Sequence, residues 1–159
     1  MKVQLASNVL KVILIIFAIG EVVAGIYILP IIAEEMVDIY PELEHAKLPI
    51  LIACELLLGL LMVGIGVIMY LLILFDRGNT FSLRFVRGLE ILTTMCIIAT
   101  IGIIILFVYM NSIGGPGPLP TLAMAGSIIV IWIVAAVIML VRSIVKKAMV
   151  YKDDYDLTV

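Results

Sequence analysis

Four apolar runs, each long enough to cross a lipid bilayer, make up most of this chain. They cover residues 12–32, 48–75, 85–110 and 121–141. The shortest runs have 21 residues, and a helix of that length is roughly 31 Å long, about the thickness of the hydrocarbon core. Lipid provides no hydrogen-bond partner for the backbone, and the runs lack the alternation of barrel strands. We therefore predict an all-α integral membrane four-helix bundle.

The composition and the length indicate one membrane domain over residues 1–159. Hydrophobic residues make up 65% of the chain and charged residues 14%, whereas a soluble domain has about 25% charged residues. The two cysteines, Cys54 and Cys96, lie inside apolar runs and form no metal-binding or redox motif. The single histidine and the scattered serines form no nucleophile–base pair. We therefore predict no metal, no cofactor, no catalytic residue and no enzymatic activity.

The basic residues indicate how the bundle sits in the membrane. Nine of the ten Lys and Arg residues flank the runs on one side, while the first connection, 33–47, is acidic and the third carries no charge. Positive residues favour the cytoplasmic side, so we expect both termini to lie on the cytoplasmic side of the plasma membrane. The nine residues are Lys2, Lys11, Arg77, Arg84, Arg87, Arg142, Lys146, Lys147 and Lys152.

Glu21 lies near the middle of the first run and is the main candidate for a functional residue. A charged residue at the centre of a membrane helix costs roughly 2.5–3.5 kcal/mol on insertion scales, and such residues commonly mark functional sites. Ala18, Ala24 and Gly25 lie three or four residues away, on the same helical face. Small residues mark helix–helix contacts in membranes. We therefore expect Glu21 to face the bundle and not the lipid.

Glu55, in the second run, is a candidate companion for Glu21. Gly59, Met62 and Gly66 follow it on one helical face. If the two helices pack antiparallel, the carboxyl of Glu55 lies roughly 10 Å and that of Glu21 roughly 16 Å from the outer side. We therefore expect the two carboxyls to share one polar cavity and one proton. Three alternatives stay open: a protonated pair that only holds the helices together, a pocket for a proton, a cation or a cationic ligand, or exposure to lipid.

Local patterns predict the ends of the second and third helices. Pro49 suits the first turn of the second helix, because a proline there removes no hydrogen bond. Ser82 is a suitable N-cap for the third helix. Arg87 and Glu90 lie three residues apart near the cytoplasmic start of the third helix. At that spacing we expect them to form an ion pair at the membrane boundary.

Two short motifs resemble those of a known family. Gly78, Thr80 and Phe81 follow the second run, and the chain ends in Asp-Leu-Thr-Val at residues 156–159. A Gly-x-x-Phe element after the second span and an acidic ending of the Asp-Leu-Thr-Ile/Val type resemble DUF2975, an uncharacterised bacterial family of small four-span membrane proteins. The resemblance implies no known activity. Because the genes of the family often stand beside a small helix-turn-helix regulator, it implies a membrane partner of a cytoplasmic DNA-binding protein.

Two functional hypotheses follow from these observations. In the first, the chain is a membrane sensor or regulatory partner: Glu21 and Glu55 receive the stimulus, and the acidic tail 151–159 contacts a cytoplasmic transcription regulator. In the second, it is a small proton- or cation-coupled transporter or channel subunit that uses the same glutamates, and a homo-oligomer fits this reading. In both, the chain contacts the lipid bilayer and makes no direct contact with nucleic acid. The predicted partner-binding residues are Asp153, Asp154, Asp156, Leu157, Thr158 and Val159.

Overall fold

A computed structural model describes residues 2–115 and 117–156, and this part of the chain contains helices and no strand. Four of the helical segments are long and apolar enough to cross a membrane, which confirms the predicted all-α four-helix membrane bundle. The elements are α1 (Lys2–Val23), a π-helix (Ala24–Ile28), α2 (Leu29–Ile39), a 3₁₀ turn (Pro41–Leu43), α3 (Glu44–Asp76), α4 (Leu83–Ser112) and α5 (Pro118–Asp156).

The helices are longer than the predicted spans. We call α1, the π-helix and α2 together the first rod, because they form one apolar helical segment over Gln4–Ile39. Its 36 residues reach roughly 54 Å, well beyond a hydrocarbon core of about 30 Å. The acidic connection 33–47 is therefore almost entirely helical. Tyr40 and the 3₁₀ turn separate α2 from α3, since a proline at position 41 cannot continue a helix without clashing with the preceding turn.

Helices that follow one another in the chain pack against one another. The first rod packs on α3, α3 on α4, and α4 on α5. Gly88 permits the closest approach of α3 and α4, because a Cβ atom there would lie 2.6 Å from Cδ2 of Leu71. Gly102 has the same role nearer the other end, where a Cβ atom would lie 2.9 Å from Cδ2 of Leu57. Small residues thus bring these two helices together, as expected in lipid.

The largest buried cluster lies at the end of the bundle that carries most of the basic residues. We call this the basic end, and the end that carries Tyr40 the acidic end. The cluster joins α3, α4 and α5, so these three helices share one core at the basic end. Its buried members are Leu71, Leu74, Phe85, Val86, Leu89, Leu92 and Val145.

The helix ends follow the local sequence with one exception. The side chain of Ser82 accepts a hydrogen bond from the backbone N–H of Phe85 at 3.3 Å, which confirms the predicted N-cap of α4. Gly114 and Gly117 adopt positive φ angles between α4 and α5, a conformation that glycine adopts without strain. The prediction for Pro49 is wrong. Because α3 begins at Glu44, Pro49 lies inside the helix and not in its first turn.

Candidate functional site

Glu21 lies on α1 and faces α3. The residue is only 7% exposed, and within the described part of the chain neither carboxyl oxygen has a hydrogen-bond partner. Leu58 of α3 lies opposite, and the two residues line the same clefts between the helices. Glu21 therefore faces the bundle, as the small residues around it predict, and its carboxyl is enclosed between α1 and α3.

Glu55 of α3 lines a cleft of about 250 Å³ together with Glu21. Its carboxyl group rests against Gly25: a Cβ atom at that position would lie 3.1 Å from Oε2 of Glu55 and 3.5 Å from Cδ1 of Leu58. Unlike Glu21, Glu55 is exposed on the surface of the single chain. The two glutamates thus meet in one cleft, with Glu21 at its buried side and Glu55 at its open side.

A second, larger cleft of about 480 Å³ continues from Glu21 towards the basic end. It runs along α1 from Ile13 to Ala24 and is closed by Leu58 and Leu61 of α3. Apart from Glu21, the side chains that line it are apolar. The two clefts lie on opposite flanks of Glu21 and Leu58, which line both. Glu21 and Glu55 are the titratable groups that line them.

The π-helix lies directly beside the carboxyl pair. Pro30 follows it, and a proline within a helix has no N–H for the carbonyl four residues earlier, here that of Ile26, and its ring clashes with that carbonyl. The wider turn accommodates this: the backbone N–H of Leu29 bonds to the carbonyl of Ala24, five residues back. Such turns occur frequently at functional sites. Pro30 was visible in the sequence and was the available signal for this turn.

The chemistry of the cleft follows from the unpartnered carboxyl. A buried carboxylate without a counter-charge or hydrogen bonds is costly, so Glu21 must hold a proton or face a cation. The described residues contain no group of three or more His, Cys, Asp or Glu side chains that could hold a metal ion. Ca²⁺ takes 6–8 oxygen ligands and Mg²⁺ requires an octahedral set. Two carboxyls among apolar side chains can instead bind a proton or a monovalent cation.

The predicted ion pair of Arg87 and Glu90 is replaced by a contact between helices. Glu90 bonds to the guanidinium group of Arg142 on α5, and Nζ of Lys146 lies 3.5 Å from the same carboxyl oxygen. Arg87 is exposed and, in the described part of the chain, forms no salt bridge. The packing of α4 on α5 brings Arg142 and Lys146 into contact with Glu90. Spacing along the sequence describes contacts within one helix only, so it did not predict this contact.

Lys11 and Asp76 form an ion pair that the sequence reasoning missed. The ammonium group of Lys11 on α1 bonds to Oδ2 of Asp76 at the end of α3, and the two side chains are about one quarter exposed, at 24% and 25%. The available signal was that both residues flank apolar runs at the same end of the bundle. This pair joins, at the basic end, the same two helices that carry Glu21 and Glu55.

The predicted partner-binding residues lie at the edge of what the structure describes. The backbone of α5 continues as a helix through Asp153 and Asp154 to Asp156, but the side chains of these three residues lie outside the described part. Leu157, Thr158 and Val159 lie outside the described residues altogether. The role of the tail therefore stays a prediction from sequence.

Comparisons with known proteins give one family. The model of DUF2975, a protein family of unknown function, matches residues 31–159, which include α3, α4, α5 and most of α2. Neither the curated proteins nor the solved structures gave a match. The family match covers most of the chain and includes Glu55, while Glu21 lies before it. The chain therefore belongs to the DUF2975 family.

Proposed function

We propose that this protein is a membrane sensor in which a proton or cation enters the cleft of Glu21 and Glu55. The observation that carries the proposal is the buried carboxyl of Glu21, whose two oxygens have no partner in the described chain. A binding event there changes the charge of the cleft and therefore the contact between the first rod and α3. A ligand shifts a conformational equilibrium only if it binds the two states differently. Glu21 meets that condition, because its charge is tolerated only when a counter-charge is present.

The route from the cleft to the basic end runs along α1 and α3. Both helices pass from the cleft to the ion pair of Lys11 and Asp76, so a change in their packing alters the geometry of that pair. The connection 77–82 follows Asp76 directly and leads into α4. We propose that this connection and the acidic tail lie in the cytoplasm of a bacterial cell, where the nine clustered basic residues favour that orientation.

A distance measurement between the ends of α1 and α3 tests the sensor. The native thiols, Cys54 and Cys96, are replaced by alanine, and spin labels are attached to cysteines introduced at Val9 and Arg77, both of which are exposed. In lipid nanodiscs we expect the distance distribution to shift when the sample is acidified or when a cation is added. A distribution that stays the same under every condition contradicts the proposal.

Matched variants test whether the shift of the distance between the spin labels originates at the cleft. Glu21→Gln removes the charge and keeps the size of the side chain, so we expect the distance to stop responding. Glu35→Gln changes an exposed carboxyl of α2 outside both clefts, so the response should be retained. An unchanged response in Glu21→Gln means that another group receives the stimulus.

The partner of the sensor is proposed to be a cytoplasmic helix-turn-helix regulator that binds the tail. The support is the acidic ending at residues 153–159 and the family resemblance. A purified helix-turn-helix regulator of the kind encoded beside genes of the family should bind nanodiscs that carry the full chain and should not bind nanodiscs that carry a chain ending at residue 152. Equal binding to both removes the tail from the interface.

A transporter or channel subunit is the second candidate, and one observation favours it. The two clefts that flank Glu21 together span residues 13 to 26 of the first rod. This is roughly 20 Å along the helix axis, about two thirds of the hydrocarbon core. A cation that moves from one cleft to the other would pass Glu21. Proteoliposomes with the wild-type protein should then show proton or cation flux that Glu21→Gln abolishes. If both proteins are inactive in flux while the distance response is present, the sensor is favoured.

A further inference from the structure

One face of α3 repeats every seven residues and is largely exposed on the single chain. Ile52, Gly59 and Gly66 occupy the first position of the repeat, and all three are exposed. Glu55, also exposed, follows Ile52 by three residues. This spacing is that of the a and d positions at which two helices pair in a left-handed crossing. We call this face the free seam, and it consists of Ile52, Glu55, Gly59, Met62, Gly66 and Met69.

We infer that the free seam binds the free seam of a second copy, so that two chains form a parallel dimer through α3. A helix over residues 52–69 is roughly 27 Å long, nearly the thickness of the hydrocarbon core. The contact therefore runs through most of the membrane. The dimer does not depend on the proposed sensor function, because it concerns what covers the cleft and not what enters it.

The opposite face of α3 is already covered by α4. Leu57 and Leu71 pack against Gly102 and Gly88 of α4, where an added Cβ atom would lie 2.9 and 2.6 Å from the leucine side chains. Gly59 follows Leu57 by two residues, so it lies about 200° further around the helix axis. Helix α3 therefore uses one face for a partner within the chain and leaves the other face available for a partner outside it.

The two glycines of the free seam have no neighbour in the described part of the chain. A Cβ atom added at Gly59 or at Gly66 would meet nothing within 4 Å, whereas Gly25, Gly88 and Gly102 each permit a close contact between helices. Glycine is disfavoured in the interior of a helix, and small residues in membranes mark the places where helices approach one another. Two glycines seven residues apart on an uncovered face therefore indicate a contact with a helix outside the chain.

The cleft beside the free seam also contains a buried polar group without a partner. Glu21 is only 7% exposed, and neither of its carboxyl oxygens has a hydrogen-bond partner in the described chain. It lines the cleft of about 250 Å³ together with Glu55 and Gly59. In the described part of the chain neither α4 nor α5 has substantial contact with the first rod. A helix on the free seam extends the contact between the first rod and α3 and closes the open side of this cleft.

A second copy fits this position because it supplies a polar group at the depth of Glu55. A carboxyl that faces lipid is costly, and lipid tails offer it no partner. The basic residues give every copy the same orientation, so two α3 helices meet in parallel and equal residues face each other across a two-fold axis. Glu55 of one copy then faces Glu55 of the other, and two carboxyls can share a hydrogen bond when one of them carries a proton. A polar layer of this kind fixes the register of paired helices.

Cross-linking in liposomes tests the contact. Cys54 and Cys96 are replaced by alanine, and one cysteine is introduced by Ile52→Cys in the free seam or by Leu61→Cys. Leu61 is exposed but lines the larger cleft, and nine residues after Ile52 it lies half a turn away around the helix. At low protein content, oxidation with copper phenanthroline should convert most of the Ile52→Cys protein to a disulfide-linked dimer and leave the Leu61→Cys protein monomeric.

Matched glycine variants test whether the free seam is the interface. Energy transfer between labelled copies in liposomes gives the protein content of the bilayer at which half of the chains are dimers. Gly59→Leu fills the seam, so it should raise this content about tenfold or more, which corresponds to the loss of one good contact. Gly126→Leu makes the same exchange on α5, where an added Cβ atom also meets nothing within 4 Å, and should dimerise as the wild type does. The circular dichroism spectra and the thermal unfolding of both variants in detergent should match those of the wild type, because neither glycine contacts another helix of its own chain.

Two substitutions of Glu55 test the polar layer. Glu55→Gln keeps a group that donates and accepts hydrogen bonds, so the dimer should be retained. Glu55→Leu keeps the size of the side chain and removes its polar atoms, so dimerisation should weaken several-fold. If Glu55→Leu dimerises as well as Glu55→Gln, the carboxyls do not pair and a second copy is no longer singled out as the partner.

Three further results overturn the dimer. The first is equal cross-linking of Ile52→Cys and Leu61→Cys, which indicates random collisions, and the second is equal dimerisation of Gly59→Leu and Gly126→Leu. The third is a chain that stays monomeric at every protein content, which means that lipid or another protein covers the seam. The distance measurement on α1 and α3 answers separately. A dimer without a distance response overturns the sensor alone, and a distance response in a chain that stays monomeric overturns the dimer alone.

Discussion

Gly25 of the π-helix and Glu55 of α3 are in direct contact: the carboxyl oxygen of Glu55 occupies the space beside the glycine, 3.1 Å from where a Cβ atom would lie. Gly25 is itself buried. The contact explains how a side chain that is exposed overall still faces Glu21, which lies one turn before Gly25. The glycine provides the space in which the second carboxyl of the cleft is held.

Gly25→Ala should weaken the distance response to acidification with little effect on stability. The new methyl group meets the flexible end of Glu55, which moves away, and alanine is favoured over glycine in helices by about 1 kcal/mol. We expect the free energy of unfolding to change by less than about 1 kcal/mol, while the acid-induced shift of the distance between the spin labels becomes smaller. Unfolding in detergent and the distance measurement in nanodiscs give the two quantities.

Gly66→Ala is the matched control for Gly25→Ala. It makes the same exchange on α3, where an added Cβ atom meets nothing within 4 Å. Its distance response should equal that of the wild type. If the two variants respond equally, Gly25 has no role in positioning Glu55.

Pro30→Ala should remove the π-helix and stabilise the chain. The substitution restores an N–H group that can bond to the carbonyl of Ile26, and a proline inside a helix costs about 3 kcal/mol relative to alanine. A regular α-helix then rotates α1 relative to α2 by about 100°, the angle of one residue. We expect greater stability but a weaker distance response to acidification, because Glu21 turns away from α3. Amide hydrogen exchange over residues 24–30 should slow.

Pro49→Ala separates the effect of the π-helix from that of any proline. Pro49 lies inside α3, without a π-helix beside it, so its replacement should stabilise the chain and leave the distance response unchanged. A retained distance response in Pro30→Ala would show that the wider turn does not orient Glu21.

Much of the fold was predictable because the bilayer allows few solutions. An apolar run of about 20 residues must be a helix in lipid, so four runs predict four helices, and the cap of Ser82 needs only local sequence. The spacing of small residues around Glu21 also indicates which face meets another helix. These features depend on contacts within one helix or on the solvent.

The pairs between helices were not predictable by the same reasoning. Glu90 and Arg142 lie 52 residues apart, and Lys11 and Asp76 lie 65 residues apart. Their contacts depend on the rotation and the vertical offset of packed helices, which the hydropathy of a run does not fix. The spacing along α4 predicted Arg87 as the partner of Glu90, and that prediction is wrong for this reason.

Glu90→Gln should destabilise the contact between α4 and α5. It removes the charge that faces Arg142, whose side chain is 32% exposed, and the loss of a partly buried pair should cost about 1–2 kcal/mol of unfolding free energy. Arg87→Gln, on an exposed residue one turn away, should change it by less than about 0.5 kcal/mol. Unfolding in mixed micelles measures both. Equal effects of the two changes would support the pair predicted from the spacing.

Gly88→Ala should destabilise the core at the basic end. Its Cβ atom would lie 2.6 Å from Leu71, which is buried in the cluster of α3, α4 and α5 and has no free space to enter. Overpacking of this kind costs about 1–3 kcal/mol. Gly126→Ala, on α5 with nothing within 4 Å of the added atom, is the control and should be neutral or slightly stabilising. A neutral Gly88→Ala would mean that the two helices are further apart than described.

The ion pair of Lys11 and Asp76 should show a measurable coupling free energy that depends on the cleft. A double-mutant cycle with Lys11→Ala and Asp76→Ala measures this coupling. High salt should reduce it, because exposed charges are screened. If α1 and α3 transmit the state of the cleft, mild acidification should change the coupling in the wild type and not in Glu21→Gln. A coupling that is the same at both pH values in both backgrounds would separate the pair from the sensor and leave it a purely structural contact.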